Sequence, residues 1–299
     1  MSTVALLVRS DLEEASGLAT STATWLRQAG HEARLVRIDP HDRAREDGIE
    51  LALRDLDLTG ADLAVSLGGD GTFLKVVPRT SAAGVPILGV NFGRLGYLLE
   101  VEPESLKRAL ELALAGRLDV EERAALEVRV PGDLAPPRDP ERAAPTTTDR
   151  CWMALNEMVA EKTVPGHTVR LSTYIDGELF LNYSADGVLV ATPTGSTAYN
   201  LSAGGPALSP RLRAMIVTPV APHLSIDRSL VLDAAQVVTV HVRESRPAVL
   251  VIDGREVGRL EPGAEITCRV APEPVRLVSF GERGFAGLLR AALAIDRDG

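Results

Sequence analysis

The sequence is poor in cysteine and in aromatic residues. Its 299 residues include only Cys151 and Cys268, and aromatic residues make up 4% of the chain. Two distant cysteines without a CxxC pair, and five scattered histidines without HxxxH spacing, indicate neither a disulfide framework nor a zinc site. We expect both cysteines to be small buried apolar residues.

The chain also lacks an excess of basic residues and a long apolar run. Its 41 acidic residues outnumber 32 lysines and arginines, and the formal net charge is −9. This balance argues against nucleic acid and against an anionic membrane surface as partners. There is no apolar run as long as a membrane-spanning helix, and no basic leader with a small-residue cleavage site. The sequence therefore predicts a cytoplasmic protein whose partners are small molecules.

Apolar residues are plentiful. They make up 45% of the chain, enough for a large core, and the length favours two domains. We predict the fold class α/β plus all-β: a doubly wound parallel sheet over residues 1–119 and a β-rich antiparallel domain over 120–275. A C-terminal segment, 276–299, is predicted to pack as a helix on the first domain.

The first residues predict a strand, a helix and a second strand. Val4–Val8 is typical of a buried strand, Asp11–Ala29 of a helix with Ser10 or Asp11 as N-cap, and residues 33–38 of another strand. Short turns between them predict a βαβ unit and a parallel sheet. No GxGxxG or GxxxxGK[ST] motif occurs, which excludes a standard dinucleotide fold and a P-loop kinase.

The remaining pattern supplies further elements. The predictions are strands over 61–67 and 85–90, a helix over 103–115, a charged loop over 40–48, a half-buried strand over 125–130 and a mobile loop over 131–150.

The turn Gly68-Gly69-Asp70-Gly71-Thr72 follows the strand over 61–67. Glycine allows φ > 0 and brings backbone N–H groups close to a phosphate. A carboxylate in such a turn repels phosphate unless a metal ion or a reacting hydroxyl lies between them. An aspartate chosen for turn geometry is the alternative, but a strand before and a helix after favour phosphoryl transfer. We therefore assign Asp70 as catalytic and Gly68, Gly69, Gly71 and Thr72 as phosphate-binding.

Two polar stretches in the second domain predict ligand binding. Asn156-Glu157 interrupts an apolar run with an amide and a carboxylate, which suit two vicinal hydroxyls of a ligand. A strand end that faces water is the alternative. The stretch 186–206 runs from a strand into hydroxyls, small residues and glycines, as pocket linings do, and a generic small-residue loop is the weaker alternative. Tyr199 would stack on a base or cap the core.

These motifs together resemble the NAD kinase family. The Gly-Gly-Asp-Gly-Thr turn alone is shared with lipid kinases and phosphofructokinases, whereas 186–206 is similar, nearly residue for residue, to the long signature of NAD kinases. Asn91–Leu98, Pro219–Ser225 and Val251–Gly254 extend the resemblance, which covers roughly residues 61–255.

The resemblance implies phosphorylation of the 2′-hydroxyl of the adenosine ribose of NAD, which gives NADP. Asp70 would face that hydroxyl, Lys75 would lie near phosphate, and Asp186 would lie near the nicotinamide half. The implied NAD-binding residues are Asp70, Gly71, Lys75, Asn156, Glu157, His167, Asp186, Thr197, Ala198, Tyr199, Asn200, Leu201 and Ser202. The sequence departs from the family at Ser184, where Arg is often found, and at Arg255, where Gln is frequent.

The expected phosphoryl donor is ATP, another triphosphate or polyphosphate. A divalent cation, Mg²⁺, would be bound mainly through donor phosphates and water, with no protein metal site. A homodimer or homotetramer is expected. A lipid kinase is one rival function, although it predicts an apolar or basic interfacial surface that this acidic chain does not indicate. A nucleotide sensor without turnover is the other.

Overall fold

The structure is a computed structural model that describes residues 1–38, 57–93, 98–131, 134, 150–223, 226–243, 246–279 and 285–292. The predicted loop over 40–48, most of the predicted loop over 131–150, and the residues Leu95, Tyr97, Leu224 and Ser225 lie outside these ranges. The described residues form two compact units. One comprises those of Met1–Asp42, Leu51–Glu122 and Glu273–Gly299, and the other comprises those of Arg123–Pro272.

The helices and strands follow one another in this order. The first part of the chain contains β1 (Thr3–Arg9), α1 (Glu13–Gln28), β2 (Glu32–Ile38), β3 (Leu63–Gly68), α2 (Asp70–Ala82), β4 (Ile87–Asn91), a 3₁₀ turn (Pro103–Ser105), α3 (Leu106–Leu114) and β5 (Asp119–Arg123). Strands β6 (Leu126–Arg129), β7 (Cys151–Ala154), β8 (Glu157–Lys162), β9 (Val169–Ile175), β10 (Glu178–Ala185) and β11 (Gly187–Ala191) come next. A 3₁₀ turn (Gly195–Thr197), α4 (Tyr199–Ser202), β12 (Ala214–Val220), β13 (Leu230–Asp233), β14 (Val238–Val242), β15 (Ala248–Ile252), β16 (Arg255–Leu260), β17 (Glu265–Val270), β18 (Val275–Ser279) and α5 (Phe285–Ala292) complete the order.

The first unit is built on the predicted parallel sheet. Its strand order is β2-β1-β3-β4-β18-β5, and the pairs β1–β2, β1–β3, β3–β4 and β4–β18 are parallel. Strand β3 is buried along its whole length, as an apolar run in a parallel sheet requires. Helix α1 packs a stripe of small residues and Leu26 against this core.

Two sequence predictions for this unit need correction. Helix α1 begins after Leu12, whose side chain makes no capping hydrogen bond, so neither Ser10 nor Asp11 is the N-cap. Asp11 instead pairs with Arg9, with 2.7 Å between Arg9 Nε and Asp11 Oδ1. The sequence interpretation also missed β18, which joins the parallel sheet beside β4.

The second unit contains two antiparallel sheets. Their strand orders are β10-β9-β14-β17-β6-β7 and β13-β12-β11-β8-β15-β16. One apolar cluster draws on both sheets, from Leu126 and Val128 of the first to Met158 and Val190 of the second. Cys268 lies in this cluster, whereas Cys151 is only partly buried, so the expectation of two buried cysteines is wrong for Cys151.

No helix in the described ranges is both long enough and apolar enough to span a bilayer.

Candidate functional site

The Gly-Gly-Asp-Gly-Thr turn joins β3 to α2. Gly68 is the last residue of β3, Gly69 precedes α2, and Asp70 is its first residue. A carboxylate at this position is stabilised by the helix dipole. The backbone N–H groups of Thr72 and Phe73 both donate to the carbonyl oxygen of Gly69, at 2.9 and 3.1 Å. These two N–H groups are therefore used within the turn.

One glycine of this turn provides space for a neighbouring side chain, and none of the three has an unusual backbone. None of Gly68, Gly69 and Gly71 has a positive φ, so this turn does not use the left-handed backbone that glycine allows. A Cβ on Gly68 would lie 2.6 Å from Oγ1 of Thr72, whereas a Cβ on Gly69 or Gly71 would meet no described atom within 4 Å. Gly68 thus allows Thr72 to fold back, whereas close packing against the described residues does not require glycine at positions 69 and 71.

A second polar segment lies beside this turn. Asn91, at the end of β4, is in register with Gly68, and the N–H of Phe92 donates to the Gly68 carbonyl at 3.0 Å. Oδ1 of Asn91 accepts from the N–H of Gly93 at 3.0 Å. Both strands therefore end at one edge of the sheet, where ligands of open parallel sheets bind.

Lys75 lies on the second turn of α2 and is partly buried. At about 100° per residue, it projects about 140° around the helix from Asp70. Its predicted contact with phosphate stays a prediction.

The Asn156-Glu157 pair lies between β7 and β8 in the second unit. Glu157 is the first residue of β8 and is only 5% exposed. Its carboxyl group accepts a hydrogen bond from the backbone N–H of Tyr199. Within the described part of the chain, its Oε2 is buried and has no hydrogen-bond partner. A buried oxygen of this kind is costly unless a ligand donates to it.

Burial sets the protonation of Glu157. Burial away from water is the largest cause that raises the pKa of Glu157, to about 8, and the negative charge of Asp253 is the second. The hydrogen bond from the Tyr199 N–H opposes that rise. The carboxyl group is therefore mostly protonated at neutral pH in the free protein, which differs from the anionic acceptor that the sequence suggested.

The 192–202 segment folds against the same pair. The Thr192 hydroxyl donates to the Leu155 carbonyl at 2.5 Å, and the Thr192 N–H donates to the Asn156 carbonyl at 2.9 Å. A Cβ on Gly195 would overlap the backbone of Asn156. The long signature and the Asn156-Glu157 pair therefore form one structure.

The predicted residues of this segment differ in accessibility. Thr197, Ala198 and Leu201 are partly buried, and Tyr199 and Ser202 are exposed. Asn200 is fully buried; its Nδ2 donates to Ser196 O at 2.9 Å, and its Oδ1 accepts from the Thr218 hydroxyl at 2.7 Å. The amide of Asn200 thus holds the loop together, and its contact with NAD stays a prediction.

Asp186 and His167 lie near one cavity of the second unit. Nζ of Lys162 is 2.6 Å from Oδ2 of Asp186. Lys162 and His167 help to line a cavity of about 220 Å³. The pKa of Tyr199 is raised by burial and then by the charges of Glu161, Asp186 and Glu157. Lys162 therefore connects Asp186 with the cavity that His167 lines.

The two departures from the family pattern lie in different local environments. Oγ of Ser184 donates to Oγ1 of Thr168 at 3.3 Å, and Nη1 of Arg246 donates to the Thr168 carbonyl at 3.1 Å. Arg246, from another loop, thus contacts Thr168, the residue to which Ser184 is hydrogen-bonded. Burial lowers the pKa of Arg255 to about 10, and the charge of Asp253 opposes this shift.

Asp253 is the main site residue to which the sequence interpretation gave no role. Its carboxylate accepts the backbone N–H groups of Leu155, Asn156 and Glu157 at 2.9, 2.8 and 3.1 Å. The available signal was an Asp-Gly pair between two apolar strands, which predicts a hairpin turn but not a long-range contact.

These features define a phosphotransferase class: a Gly-Asp-Gly turn after a parallel strand, with a unit of antiparallel sheets that carries a buried carboxyl group with an oxygen unpartnered among the described residues. Family models described as the ATP-NAD kinase N-terminal domain and the ATP-NAD kinase C-terminal domain match residues 4–118 and 155–280. The chain belongs to the NAD kinase family.

Individual relatives agree with this assignment. A protein named NAD kinase from Heliobacterium modesticaldum is 37% identical over 97% of this chain and 98% of its own length. NAD kinase 1 of Streptomyces avermitilis is 37% identical over 88% of this chain and 83% of its own length.

Solved structures show the same fold. An Archaeoglobus fulgidus NAD kinase in complex with ATP matches with a TM-score of 0.73 and 25% identity, covering 97% of this chain and 99% of that one. Yeast NADH kinase complexed with NADH has a TM-score of 0.75 at 23% identity, covering 99% of this chain and 89% of that one. The likeness to the yeast protein concerns the fold alone.

Proposed function

We propose that this chain transfers the terminal phosphoryl group of ATP to the 2′-hydroxyl of the adenosine ribose of NAD, giving NADP and ADP. The carrying observation is Glu157, a buried carboxyl group with an oxygen that no described residue satisfies, in a chain of the NAD kinase family. The relatives' names and the ATP complex of the similar Archaeoglobus fulgidus NAD kinase agree with these substrates.

In this proposal the second unit binds the acceptor. Asn156 and Glu157 hold ribose hydroxyls, Tyr199 stacks on the adenine, and Thr197, Ala198, Leu201 and Ser202 line the same loop. Asp186 lies toward the nicotinamide half, and His167 takes a further binding position. The exposed ring of Tyr199, 38% accessible, is available for stacking, which is worth about 1–3 kcal/mol per base.

Asp70 is the proposed catalytic residue. As the 2′-oxygen bonds to phosphorus and the bond to the ADP oxygen breaks, the hydroxyl proton passes to the Asp70 carboxylate. The transition state of phosphoryl transfer is loose, so orientation of the hydroxyl contributes as much as removal of its proton. Gly68, Gly69, Gly71, Thr72 and Lys75 are the proposed phosphate-binding residues.

The proposal includes a divalent cation, with Mg²⁺ as the candidate. In the described residues no three or more His, Cys, Asp and Glu side chains are grouped to hold a metal, and the turn offers the single carboxylate of Asp70. This donor set fits Mg²⁺ that arrives with donor phosphates and keeps several waters. The cation would neutralise charge on the transferred phosphoryl group.

The experiment is a panel of donors and acceptors with purified protein. ATP, another triphosphate and polyphosphate are each combined with NAD, NADH or diacylglycerol, and NADP, NADPH or lipid phosphate is measured with and without Mg²⁺. We expect NADP from NAD. Phosphorylation of diacylglycerol would favour the lipid kinase, whereas NAD binding without NADP from any donor would favour the nucleotide sensor.

We also propose domain limits of 1–119, 120–275 and 276–299, a cytoplasmic location and a homodimer or homotetramer. Light scattering tests the oligomeric state, and cell fractionation tests the location.

A further inference from the structure

The backbone that carries Asn156 and Glu157 is held from one side by Asp253. Oδ2 of Asp253 accepts from the N–H of Leu155, and Oδ1 accepts from those of Asn156 and Glu157. In return, the N–H of Asp253 donates to the Glu157 carbonyl at 3.0 Å. Three successive N–H groups thus converge on one carboxylate 96 to 98 residues away in the sequence.

The same backbone is held from the other side by the start of the long signature. Thr192 contacts the carbonyl groups of Leu155 and Asn156 through its hydroxyl and its N–H. The Thr192 hydroxyl also accepts from the N–H of Gly195 at 2.9 Å, which brings the Gly195 backbone onto that of Asn156. Both the N–H and the C=O groups of this short segment are therefore fixed.

Asp253 reaches this position because of its turn. Asp253 and Gly254 have φ values of 47° and 75° and connect β15 to β16, as in the two-residue hairpins that favour Asp-Gly. The left-handed backbone at Asp253 is a strained conformation for most residues. Such strain is retained where the surrounding structure requires it, which is common at functional sites.

We propose that Asp253 is a positioning residue for NAD binding: its carboxylate fixes the backbone from which the side chains of Asn156 and Glu157 project. The inference rests on the proposed function, and it adds a residue that need not touch the ligand. Ribose hydroxyls require acceptors in fixed directions, so a small displacement of these two side chains weakens binding.

Electrostatics give Asp253 a second effect on the same pair. Burial is the largest cause of the raised pKa of Glu157, and the negative charge of Asp253 is the second. The Tyr199 N–H opposes that rise. Burial in turn raises the pKa of Asp253 to about 6, against the three N–H donors and the charge of Arg255. The groups that act on Glu157 are therefore Asp253 with Arg255 beside it, and Tyr199.

This arrangement predicts how NAD affinity depends on pH. A ribose hydroxyl that donates a hydrogen bond to Glu157 favours the ionised carboxylate. NAD binding therefore releases a proton from Glu157 when the pH is below the pKa that Glu157 has in the free protein. NAD affinity should rise with pH up to about 8, the pKa of Glu157, and stay level above it. Without the charge of Asp253, the affinity should become level at a lower pH.

The test measures NAD affinity by calorimetry between pH 6 and 9 for the full chain and for Asp253→Asn. At the pH values where NAD affinity no longer changes with pH, we expect the affinity of Asp253→Asn to be about tenfold lower than that of the wild type. This difference corresponds to one ordinary hydrogen bond. We also expect the curve to level at a lower pH than in the wild type. In a Glu157→Gln background, Asp253→Asn should no longer change the pH dependence.

Asp176 provides a matched control. Asp176 and Gly177 form the same type of left-handed Asp-Gly pair, with φ values of 51° and 81°. The Asp176 carboxylate also accepts a backbone N–H, from Val237 at 2.8 Å, but on the exposed surface. Asp176→Asn should therefore leave NAD affinity and its pH dependence unchanged.

A folded Asp253→Asn variant with wild-type affinity and pH dependence, or an equal loss in Asp176→Asn, would overturn the inference. If Asp253→Asn does not fold, Thr192→Val and Thr192→Ser test the same segment. The serine variant keeps the hydroxyl and should retain affinity, while the valine variant should lose it; equal affinities would contradict the proposal. Because calorimetry requires no turnover, absence of NADP formation contradicts the proposed function without deciding the role of Asp253.

Discussion

The backbone of Gly195 lies directly against that of Asn156. A Cβ at position 195 would overlap the carbonyl oxygen, the carbonyl carbon and the Cα of Asn156, so a larger residue must displace the backbone that carries the side chains of Asn156 and Glu157. The glycine is therefore needed for close approach, since its φ is not positive. Mutation at this position tests whether the contact matters for NAD binding.

Gly195→Ala should weaken NAD binding and lower stability, because the added methyl group must displace the Asn156 backbone. Overpacking of a well-packed site typically costs about 1–3 kcal/mol. Gly17→Ala in α1 is the control, since a Cβ there meets no described atom within 4 Å and alanine favours helix by about 1 kcal/mol. Calorimetry with NAD and thermal unfolding of both variants measure the effects. Unchanged NAD affinity in a folded Gly195→Ala variant would contradict this prediction.

Glu157→Gln should stabilise the free protein, and increasingly so as pH rises. The pKa of Glu157 is about 8 in the folded state and 4.5 ordinarily, so the folded protein keeps a proton that the unfolded chain loses between these values. The proton that the folded protein retains on Glu157 contributes to the free energy of unfolding. This contribution is complete at pH 4.5 and is lost as the pH rises toward 8. Glutamine does not titrate, so it removes this loss of stability, which is on the order of 5 kcal/mol.

Thermal unfolding of wild type and Glu157→Gln at several pH values provides the measurement. The difference in Tm should grow from pH 5 to pH 8 and remain constant above. A difference in Tm between the two proteins that is the same at all pH values would show that Glu157 does not titrate in this range.

The sequence predicts the parallel sheet because its signal is local. Strands β1 to β4 are short apolar runs, and each lies within a few residues of its predicted position. Strand β18 was missed because Val275–Ser279 is one short run among many near the chain end. Only its pairing with β4, nearly 190 residues earlier, identifies its place.

Contacts between residues far apart in the sequence were also the part of the candidate site that the sequence did not predict. Motifs such as Asn156-Glu157 were found because residue types predict chemistry. The role of Asp253 was not found, because a carboxylate that accepts three distant N–H groups has no periodic pattern. The raised pKa of Glu157 also depends on burial and on the charge of Asp253, and neither is visible from adjacent residues.

Tyr199→Ala should raise KM for NAD about fivefold or more with little change in kcat. The ring is exposed and is proposed to stack on the adenine in the ground state and transition state alike. The backbone N–H that donates to Glu157 is retained in alanine, so the substitution removes the ring alone. Tyr199→Phe keeps the ring and should have a KM near that of the wild type. A fall in kcat at unchanged KM would contradict the stacking role.

Asp70→Asn should abolish most turnover while NAD still binds. Asparagine keeps the size of the side chain at the first position of α2 and leaves the glycines of the turn unchanged, but it cannot take the 2′-hydroxyl proton. Loss of a general base typically costs about 10²–10⁴-fold in rate, so kcat should fall at least about 100-fold.

Loss of a charge near a helix N-terminus also costs about 0.3–1 kcal/mol of stability, which must be separated from the catalytic effect. Glu13→Gln is the matched control, because Glu13 is an exposed carboxylate in the first turn of α1. Both variants should lose similar stability in thermal unfolding, and only Asp70→Asn should lose NADP formation in a coupled assay. If Asp70→Asn folds, binds NAD by calorimetry and retains near wild-type kcat, then Asp70 serves the geometry of the turn and another group takes the proton.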